Sequence, residues 1–204
     1  MKIFAHRGAS INAPDNSPEA VRKALAIGVD GIEIDCHLTS EGIPVASHDQ
    51  PGAGAPPLAE ILKIIRPTAT PVILDFKATP KKIIPLCLEI LPPEQMLASS
   101  FKLGHLFWLK QNCPQLARGW IRTPHAFRLV WPVIFGKLLK IRSIHPCLAG
   151  LTVEQVRRWQ KVGWKVYTWV VNTEEDFKKC IALGVDGLFT DDPQRAKQWQ
   201  TTKN

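Results

Sequence analysis

Two kinds of apolar pattern alternate along the whole chain. Stretches such as Val72–Lys77 are rich in apolar and β-branched residues between turn signals, which is typical of strands. Stretches such as Leu58–Ile65 place apolar residues three and four apart, which is typical of amphipathic helices. Strands are predicted at Ile3–Ala5, Gly31–Thr39, Val45–Asp49, Val72–Lys77, Met96–Phe101, Ala117–Arg122, Ile144–Leu148, Lys165–Val171 and Gly187–Thr190. Helices are predicted between Ser17 and Gly28 and at Leu58–Ile65, Lys81–Leu91, Leu103–Asn112, Phe127–Ile141, Val153–Val162, Glu174–Leu183 and Pro193–Gln200.

The alternation of strand and helix indicates a parallel α/β sheet. About eight units of roughly 25 residues fit a single-domain (β/α)₈ TIM barrel that spans residues 1–204, near the lower end of the usual size range. A doubly wound open sheet is the alternative. It is disfavoured because no glycine-rich dinucleotide fingerprint follows the first predicted strand.

Composition narrows the class of protein. Hydrophobic residues make up 45% of the chain and charged residues 22%, which allows a large core and excludes global disorder. Five scattered cysteines without paired spacing favour reduced thiols, and neither a signal peptide nor a membrane-spanning run is predicted. We therefore expect a cytoplasmic protein. The net charge of +8 suits an anionic substrate or surface without choosing among them.

The predicted strand Gly31–Thr39 carries the most informative polar pair. Glu33 and Asp35 are two residues apart, so both project from the same face of the strand. Burial of two adjacent carboxylates without compensation would cost several kcal/mol. The pair taken alone also fits a solvated strand face. A divalent cation becomes the better explanation once the neighbouring strands are considered.

Other polar side chains follow neighbouring strands where each strand ends. They are His6, Arg7, His48, Asp75 and Lys77. The carboxyl ends of barrel strands converge on one face, where the active site is built. Two imidazoles, three carboxylates, a guanidinium and an ammonium would then meet in one pocket. That set is typical of a metal-assisted phosphoester reaction.

Several motifs resemble those of the glycerophosphodiester phosphodiesterase family. They are His6-Arg7-Gly8-Ala9, Pro14-Asp15-Asn16-Ser17, Gly31-Ile32-Glu33-Ile34-Asp35, His48-Asp49, Trp169-Val170-Val171-Asn172 and Gly184–Pro193. The resemblance runs from one end of the chain to the other. It implies a (β/α)₈ barrel, a divalent metal and a hydrolase of lipid metabolism that cleaves a small-molecule glycerophosphodiester to glycerol phosphate and an alcohol.

The resemblance also implies roles for individual residues. Glu33, Asp35 and Asp75 would be the metal ligands, with Mg²⁺ or Ca²⁺ the leading candidates and Mn²⁺ also suited to an all-oxygen site. His6 and His48 would be the catalytic acid/base pair. Arg7 and Lys77 would bind the phosphate of the substrate. Trp169 is a further substrate-binding candidate for a separate reason, because its parity with Val171 predicts an inward side chain.

The chain departs from the family pattern at three points. Asp75 stands where the family usually has Glu, and Asp15 stands where the second motif usually has Glu. Asp15 is left out of the ligand set. The insertion after His48-Asp49 is short, since only residues 50–70 separate the pair from the next strand, so a more open pocket is expected.

The remaining aromatic and histidine residues leave alternatives open. Trp169 fits a wall of the substrate pocket and a core position about equally. His145 is evenly balanced between lining the pocket and lying elsewhere. We expect His37 to be structural, His105 to lie on a helix surface and His125 to lie in a solvated loop.

Two further functions compete with glycerophosphodiester hydrolysis. One is a phospholipase D-type activity on lysophospholipid or sphingomyelin. The other is a non-catalytic barrel that binds nucleic acid through its positive charge. A nucleic-acid-binding barrel leaves the paired carboxylates unexplained, so no nucleic acid is expected.

Phe127–Arg142 mixes apolar and basic residues and is expected to be an outer helix. The alternative is transient contact with a membrane surface. The oligomeric state is not fixed by the sequence.

Overall fold

The computed structural model describes residues 1–123 and 131–202. The first four residues of the predicted helix Phe127–Ile141 and the predicted loop at His125 lie outside these ranges. The described part of that helix is Trp131–Leu138.

Eight parallel strands close into a barrel, as the alternation predicts. Strand order is β1-β9-β8-β7-β6-β5-β4-β2, and a further pairing of β1 with β2 closes the sheet. The strands are β1 Lys2–Ala5, β2 Gly31–Leu38, β3 Pro44–Ala46, β4 Val72–Phe76, β5 Met96–Ser100, β6 Ala117–Arg122, β7 Ser143–Pro146, β8 Lys165–Thr168 and β9 Gly187–Thr190. The prediction of a TIM barrel is confirmed.

Strand β3 is the exception among the nine strands of the described residues. It pairs antiparallel with the end of β2 and is not part of the closed barrel. The sequence therefore predicts the strand near Val45 but not its direction, and its predicted extension to Asp49 is wrong. His48 lies beyond the strand, on the loop after β3, where the chain returns toward the pocket. The backbone N–H of Ser47 donates to the carbonyl of Asp35, which fixes this return.

The helices form the outer layer. They are α1 Pro18–Ile27, α2 Leu58–Ile65, α3 Pro80–Ile90, α4 Leu103–Asn112, α5 Trp131–Leu138, α6 Val153–Lys161, α7 Glu174–Leu183 and α8 Pro193–Thr201. The predicted caps form as expected. Ser17 accepts from the N–H of Ala20, and Thr152 with Gln155 makes a complete capping box. Among residues 1–123 and 131–202, no helix combines the length and apolarity needed to cross a membrane.

Residues of each strand face alternately the barrel interior and the outer helices. Ile32 and Ile34 belong to the large core between sheet and helices, while Glu33 and Asp35 line the interior. A separate small cluster lies in the barrel interior: Phe4, Ile73, Tyr167 and Phe189. Ile73 and Phe189 also line the pocket, so this cluster forms an apolar part of its wall.

Gly119 on β6 shows how tightly this interior is filled. A Cβ at this position would lie 2.7 Å from Cε1 of His145 and 2.9 Å from Cδ2 of Leu97. His145 is buried in the barrel interior, so its ring has little room to move aside. Position 119 therefore has no room for a Cβ, which explains why it is glycine.

We expect Gly119→Ala to destabilise the protein by about 1–3 kcal/mol, because overpacking forces the ring of His145 to move. Gly104 in α4 is the matched control, since nothing lies within 4 Å of a Cβ built there. Gly104→Ala should raise stability by about 0.5–1 kcal/mol, through helix propensity. Urea unfolding of the two variants measures both effects, and equal free energies of unfolding would contradict the packing argument.

Candidate active site

All eight predicted site residues lie around one pocket at the carboxyl end of the barrel strands. They are His6, Arg7, Glu33, Asp35, His48, Asp75, Lys77 and Trp169. Residues that are far apart in sequence are brought together because successive parallel strands end at the same rim.

Glu33, Asp35 and Asp75 form a cluster of buried carboxylates. One oxygen of each lies within 4.8 Å of the others, and the three residues are 6%, 1% and 3% exposed. Register explains the proximity, because Asp35 on β2 is paired with Asp75 on β4. Glu33 lies two residues before Asp35 on the same face.

Two cationic side chains neutralise part of this charge. The ammonium Nζ of Lys77 lies 2.5 Å from Oδ2 of Asp75 and 3.0 Å from Oδ1 of Asp35. Nε of Arg7 lies 3.1 Å from Oδ2 of Asp35, and the backbone N–H of Arg7 donates to Oε2 of Glu33 at 3.0 Å. Arg7 also binds Asp15 at 2.8 Å, so its charge is shared.

The pKa values of the three carboxyl groups diverge. Burial, followed by repulsion from Asp35 and Asp75, raises the pKa of Glu33 well above its usual range. Burial also raises the pKa of Asp75, to about 6, although Lys77 opposes the shift. Burial would raise the pKa of Asp35 too, but Lys77, the Asn16 hydrogen bond and Arg7 together lower it.

A buried oxygen of Asp75 shows that the negative charge of the carboxylate cluster is incompletely compensated. Oδ1 of Asp75 is buried and has no hydrogen-bond partner among the described residues. An unsatisfied buried oxygen next to two other carboxylates is the donor arrangement that a hard divalent cation prefers. The cluster therefore fits a metal ion that prefers oxygen ligands, without identifying the ion.

Asn16 is a site residue that sequence reasoning missed. Its Nδ2 donates to Oδ2 of Asp35 at 2.9 Å, and its Oδ1 accepts from the N–H of Asp35 at 3.0 Å. The side chain is buried, and the backbone is left-handed with φ 56°. Asn tolerates that conformation better than most residues. The available signal was its place in the motif Pro14–Ser17.

Asp191 is the second residue missed. Its Oδ1 lies 2.7 Å from Nδ1 of His6, and its Oδ2 accepts from Nδ2 of Asn172 at 2.5 Å. Asn172 in turn accepts from the N–H of Asp191 and the hydroxyl of Thr190. Burial would raise the pKa of Asp191, but the hydrogen bonds from His6 and Asn172 lower it. The carboxylate therefore accepts from Nδ1–H of His6, which leaves Nε2 for the pocket.

His48 has a similar carboxylate neighbour but a different environment. Its Nδ1 lies 2.8 Å from Oδ1 of Asp49, and its side chain is 42% exposed against 17% for His6. One imidazole thus projects from the barrel rim and the other from an accessory loop. The two approach the carboxylate cluster from different elements.

Aromatic side chains form one wall of the pocket. The rings of Phe101 and Trp169 meet edge to face, with centroids 5.9 Å apart. Nε1–H of Trp169 donates to the carbonyl of His145 at 2.8 Å, and Nζ of Lys77 lies 5.4 Å from the Phe101 ring centroid. Trp169 thus lines the pocket and also packs against the small interior cluster.

The other histidines divide clearly. His145 lines the base of the pocket, fully buried, with Nε2 2.8 Å from the hydroxyl of Ser143. His105 is not a surface residue as expected, because its Nδ1 contacts Oγ of Ser100 and the carbonyl of Phe76. His37 contacts its neighbour Leu38 and does not line the pocket.

Comparison with known proteins decides the family. The Glycerophosphoryl diester phosphodiesterase family matches residues 6–61 and 76–195. This chain belongs to that family. Seven of the eight predicted site residues fall within the matched segments, and Asp75 lies immediately before the second segment. The predictions of family, fold and enzyme class are confirmed.

Relatives of this family resemble the chain over nearly its full length. A glycerophosphodiester phosphodiesterase of Caldanaerobacter subterraneus subsp. tengcongensis is 28% identical over 94% of both chains. One from Bacillus altitudinis is 26% identical over 96% of both. The solved structure of an Oleispira antarctica phosphodiesterase with the product sn-glycerol-3-phosphate is 24% identical, with a TM-score of 0.89 over 98% of this chain and 97% of that one.

The buried imidazole of His145 makes folding depend on pH. Burial lowers its pKa from 6.5 to about 3, so between these values only the unfolded chain binds the proton. Stability is therefore lost as pH falls below 6.5, by about 2 kcal/mol at pH 5. We expect His145→Gln to be less stable at pH 7.5 but to lose less stability than wild type between pH 7.5 and 5. Urea unfolding at the two pH values checks this, and parallel losses would contradict it.

Proposed function

We propose that the protein hydrolyses glycerophosphodiesters to glycerol phosphate and an alcohol in a reaction that requires a divalent metal, and that residues 1–204 form one catalytic domain. The observation that carries the proposal is the buried cluster of Glu33, Asp35 and Asp75 in one pocket with His6 and His48. Membership of the family and the names of its relatives support the substrate class.

The three carboxylates are the groups that would hold the metal. Their oxygens lie close enough together for one ion. Oδ1 of Asp75 accepts no hydrogen bond from the described residues, so binding a metal there would break none. When bound, Mg²⁺ or Ca²⁺ would polarise the phosphoryl group and offset its negative charge. Asn16 would hold Asp35 in place, because both its amide atoms are committed to that residue.

Arg7 and Lys77 would bind the phosphate. Both are held beside the carboxylates, and each retains donors that face the pocket. Neighbouring carboxylates raise the pKa of each side chain against the lowering effect of burial, so both stay charged. Trp169 and Phe101 would contact the carbon skeleton of the substrate.

The two histidines would move the protons. One imidazole removes the proton from the attacking oxygen as the new P–O bond forms, and the other protonates the alcohol oxygen as its bond to phosphorus breaks. In-line displacement places these oxygens on opposite sides of phosphorus, so two separate residues are needed. Asp191 and Asp49 hold Nδ1 of His6 and His48 respectively, which leaves Nε2 of each ring for the exchange.

A product assay tests the proposed reaction directly. Glycerophosphocholine, glycerophosphoethanolamine and lysophosphatidylcholine are each incubated with the enzyme, with and without EDTA. Release of glycerol phosphate and the free alcohol only in the absence of EDTA supports the proposal. Turnover of lysophosphatidylcholine alone would favour the phospholipase D alternative, and unchanged turnover with EDTA would exclude metal dependence.

Metal binding is expected to depend on charge in the cluster. Glu33→Gln and Asp35→Asn should each weaken Mg²⁺ or Ca²⁺ binding by at least about tenfold, since even outer-shell partners contribute that much. Asp75→Glu should keep or increase the affinity, because it restores the usual side-chain length. Isothermal titration calorimetry measures each affinity.

Glu41→Gln, at an exposed position, is the charge-matched control. Thermal unfolding without metal shows whether a variant binds metal weakly because it lacks a ligand or because the protein itself is less stable. Glu33→Gln should unfold at no lower a temperature than wild type, because it relieves repulsion between buried carboxylates. Wild-type metal affinity in both Glu33→Gln and Asp35→Asn would remove these residues from the ligand set.

Catalysis is expected to fail without either histidine while metal binding survives. His6→Ala and His48→Ala should each lower kcat/KM by about 10²-fold or more, and wild-type kcat/KM should follow a bell-shaped pH profile. His37→Ala is the control, since His37 does not line the pocket. Calorimetry on the same variants completes the test. A variant that loses its metal would make that histidine a ligand, and one with normal turnover would not be catalytic.

A further inference from the structure

The positive charge of the chain is concentrated in one sector of the barrel. Residues 95–153 contain eight Lys and Arg and no Asp or Glu, which equals the net charge of the whole chain. The rest of the sequence is therefore neutral overall. This acid-free sector runs from β5 through α4, β6 and α5 to β7.

Much of this charge is exposed to solvent. Lys102, Lys137, Lys140 and Arg142 are exposed, and the last three follow one another along the end of α5 and the turn after it. Arg118 differs, because its buried guanidinium donates to backbone carbonyls such as those of Leu116 and Leu139. The surface cations of α5 have no acidic residue within the sector to neutralise them.

Exposed apolar side chains occupy the same sector. Five of the eight large apolar residues exposed in the described chain lie there: Phe101, Phe107, Ile134, Phe135 and Leu138. Ile134 and Leu138 are one helical turn apart and are 52% and 54% exposed, with Phe135 beside them at 36%. We name Ile134, Phe135 and Leu138 the α5 patch.

We propose that the α5 patch and the cations beside it dock the protein on an anionic lipid surface. Aliphatic and aromatic side chains on a helix enter the boundary between head groups and acyl chains, and flanking Lys and Arg are attracted by anionic head groups. Lys137, Lys140 and Arg142 provide that basic flank. The docking is a property of the surface of the protein and goes beyond the proposed hydrolysis.

Charge decides between a lipid surface and other partners. A second copy placed symmetrically on the α5 patch would bring the same Lys and Arg residues of both copies together, with no acidic residue of the sector to offset them. Single-stranded nucleic acid requires aromatic rings on which bases stack. The two most exposed members of the patch are aliphatic. An anionic lipid surface matches both the apolar and the basic components.

Vesicle co-sedimentation of the full chain without substrate tests the docking. Wild type is mixed with vesicles of phosphatidylcholine alone and with vesicles containing about 30% phosphatidylglycerol. We expect binding to the anionic vesicles that is at least tenfold tighter than to the neutral ones and that weakens in 0.5 M salt, because salt screens surface charges.

Two double variants separate the apolar and basic contributions. Ile134→Ser with Leu138→Ser and Lys137→Gln with Arg142→Gln should each lower the affinity for anionic vesicles about tenfold or more. Ile43→Ser with Ile181→Ser and Lys81→Gln with Lys179→Gln are matched controls at exposed positions outside the sector. Circular dichroism and turnover confirm that each variant is folded.

The proposal would be overturned by no binding of wild type to either vesicle, by equal binding to both, or by equal loss in patch and control variants. A concentration-dependent dimer that only the patch variants abolish would overturn it as well. Tight binding of a single-stranded oligonucleotide without vesicle binding would also overturn it, in favour of a nucleic acid. Loss of vesicle binding with retained turnover would separate the docking from the proposed reaction.

Discussion

Repulsion among three buried carboxylates is the constraint on which the pocket depends. Strand pairing places Asp35 beside Asp75, Glu33 lies on the same face of β2, and an apolar cluster fills the barrel interior nearby. Such an arrangement is tolerated only where cations and hydrogen-bond donors surround it. Lys77 and Arg7 supply the cations and Asn16 supplies the amide, so these three side chains offset part of the cost of burying the carboxylates.

The barrel fixes some of these groups more firmly than others. The carboxylates lie on interior strands, where each backbone is bonded on both sides. His6 follows β1 directly and is held by Asp191 at the end of the neighbouring strand β9. The backbone N–H of His6 also donates to the carbonyl of Thr190, so both its main chain and its ring are held by β9 and the residue after it.

Much of the architecture follows from local sequence patterns. Strand periodicity and parity account for seven of the eight predicted residues at the pocket, because parity decides which side chains face inward and parallel strands end at one rim. His48 is the exception, since it reaches the pocket from the loop after the antiparallel strand β3. The direction of β3 could not be predicted, since a three-residue strand looks the same in either direction. The roles of Asn16 and Asp191 were hidden for another reason. Each contacts a residue distant in sequence, and a polar residue in a motif does not reveal its partner.

The accessory strand β3 lets the loop that carries His48 vary independently of the strands that carry the carboxylate cluster. His48 follows the hairpin that β3 forms with the end of β2, and it does not follow one of the eight barrel strands. The segment between His48 and α2 can therefore change in length without altering the number or stagger of barrel strands. Within this architecture, the loop that carries His48 can vary in length and shape while the carboxylate cluster stays where strand register places it.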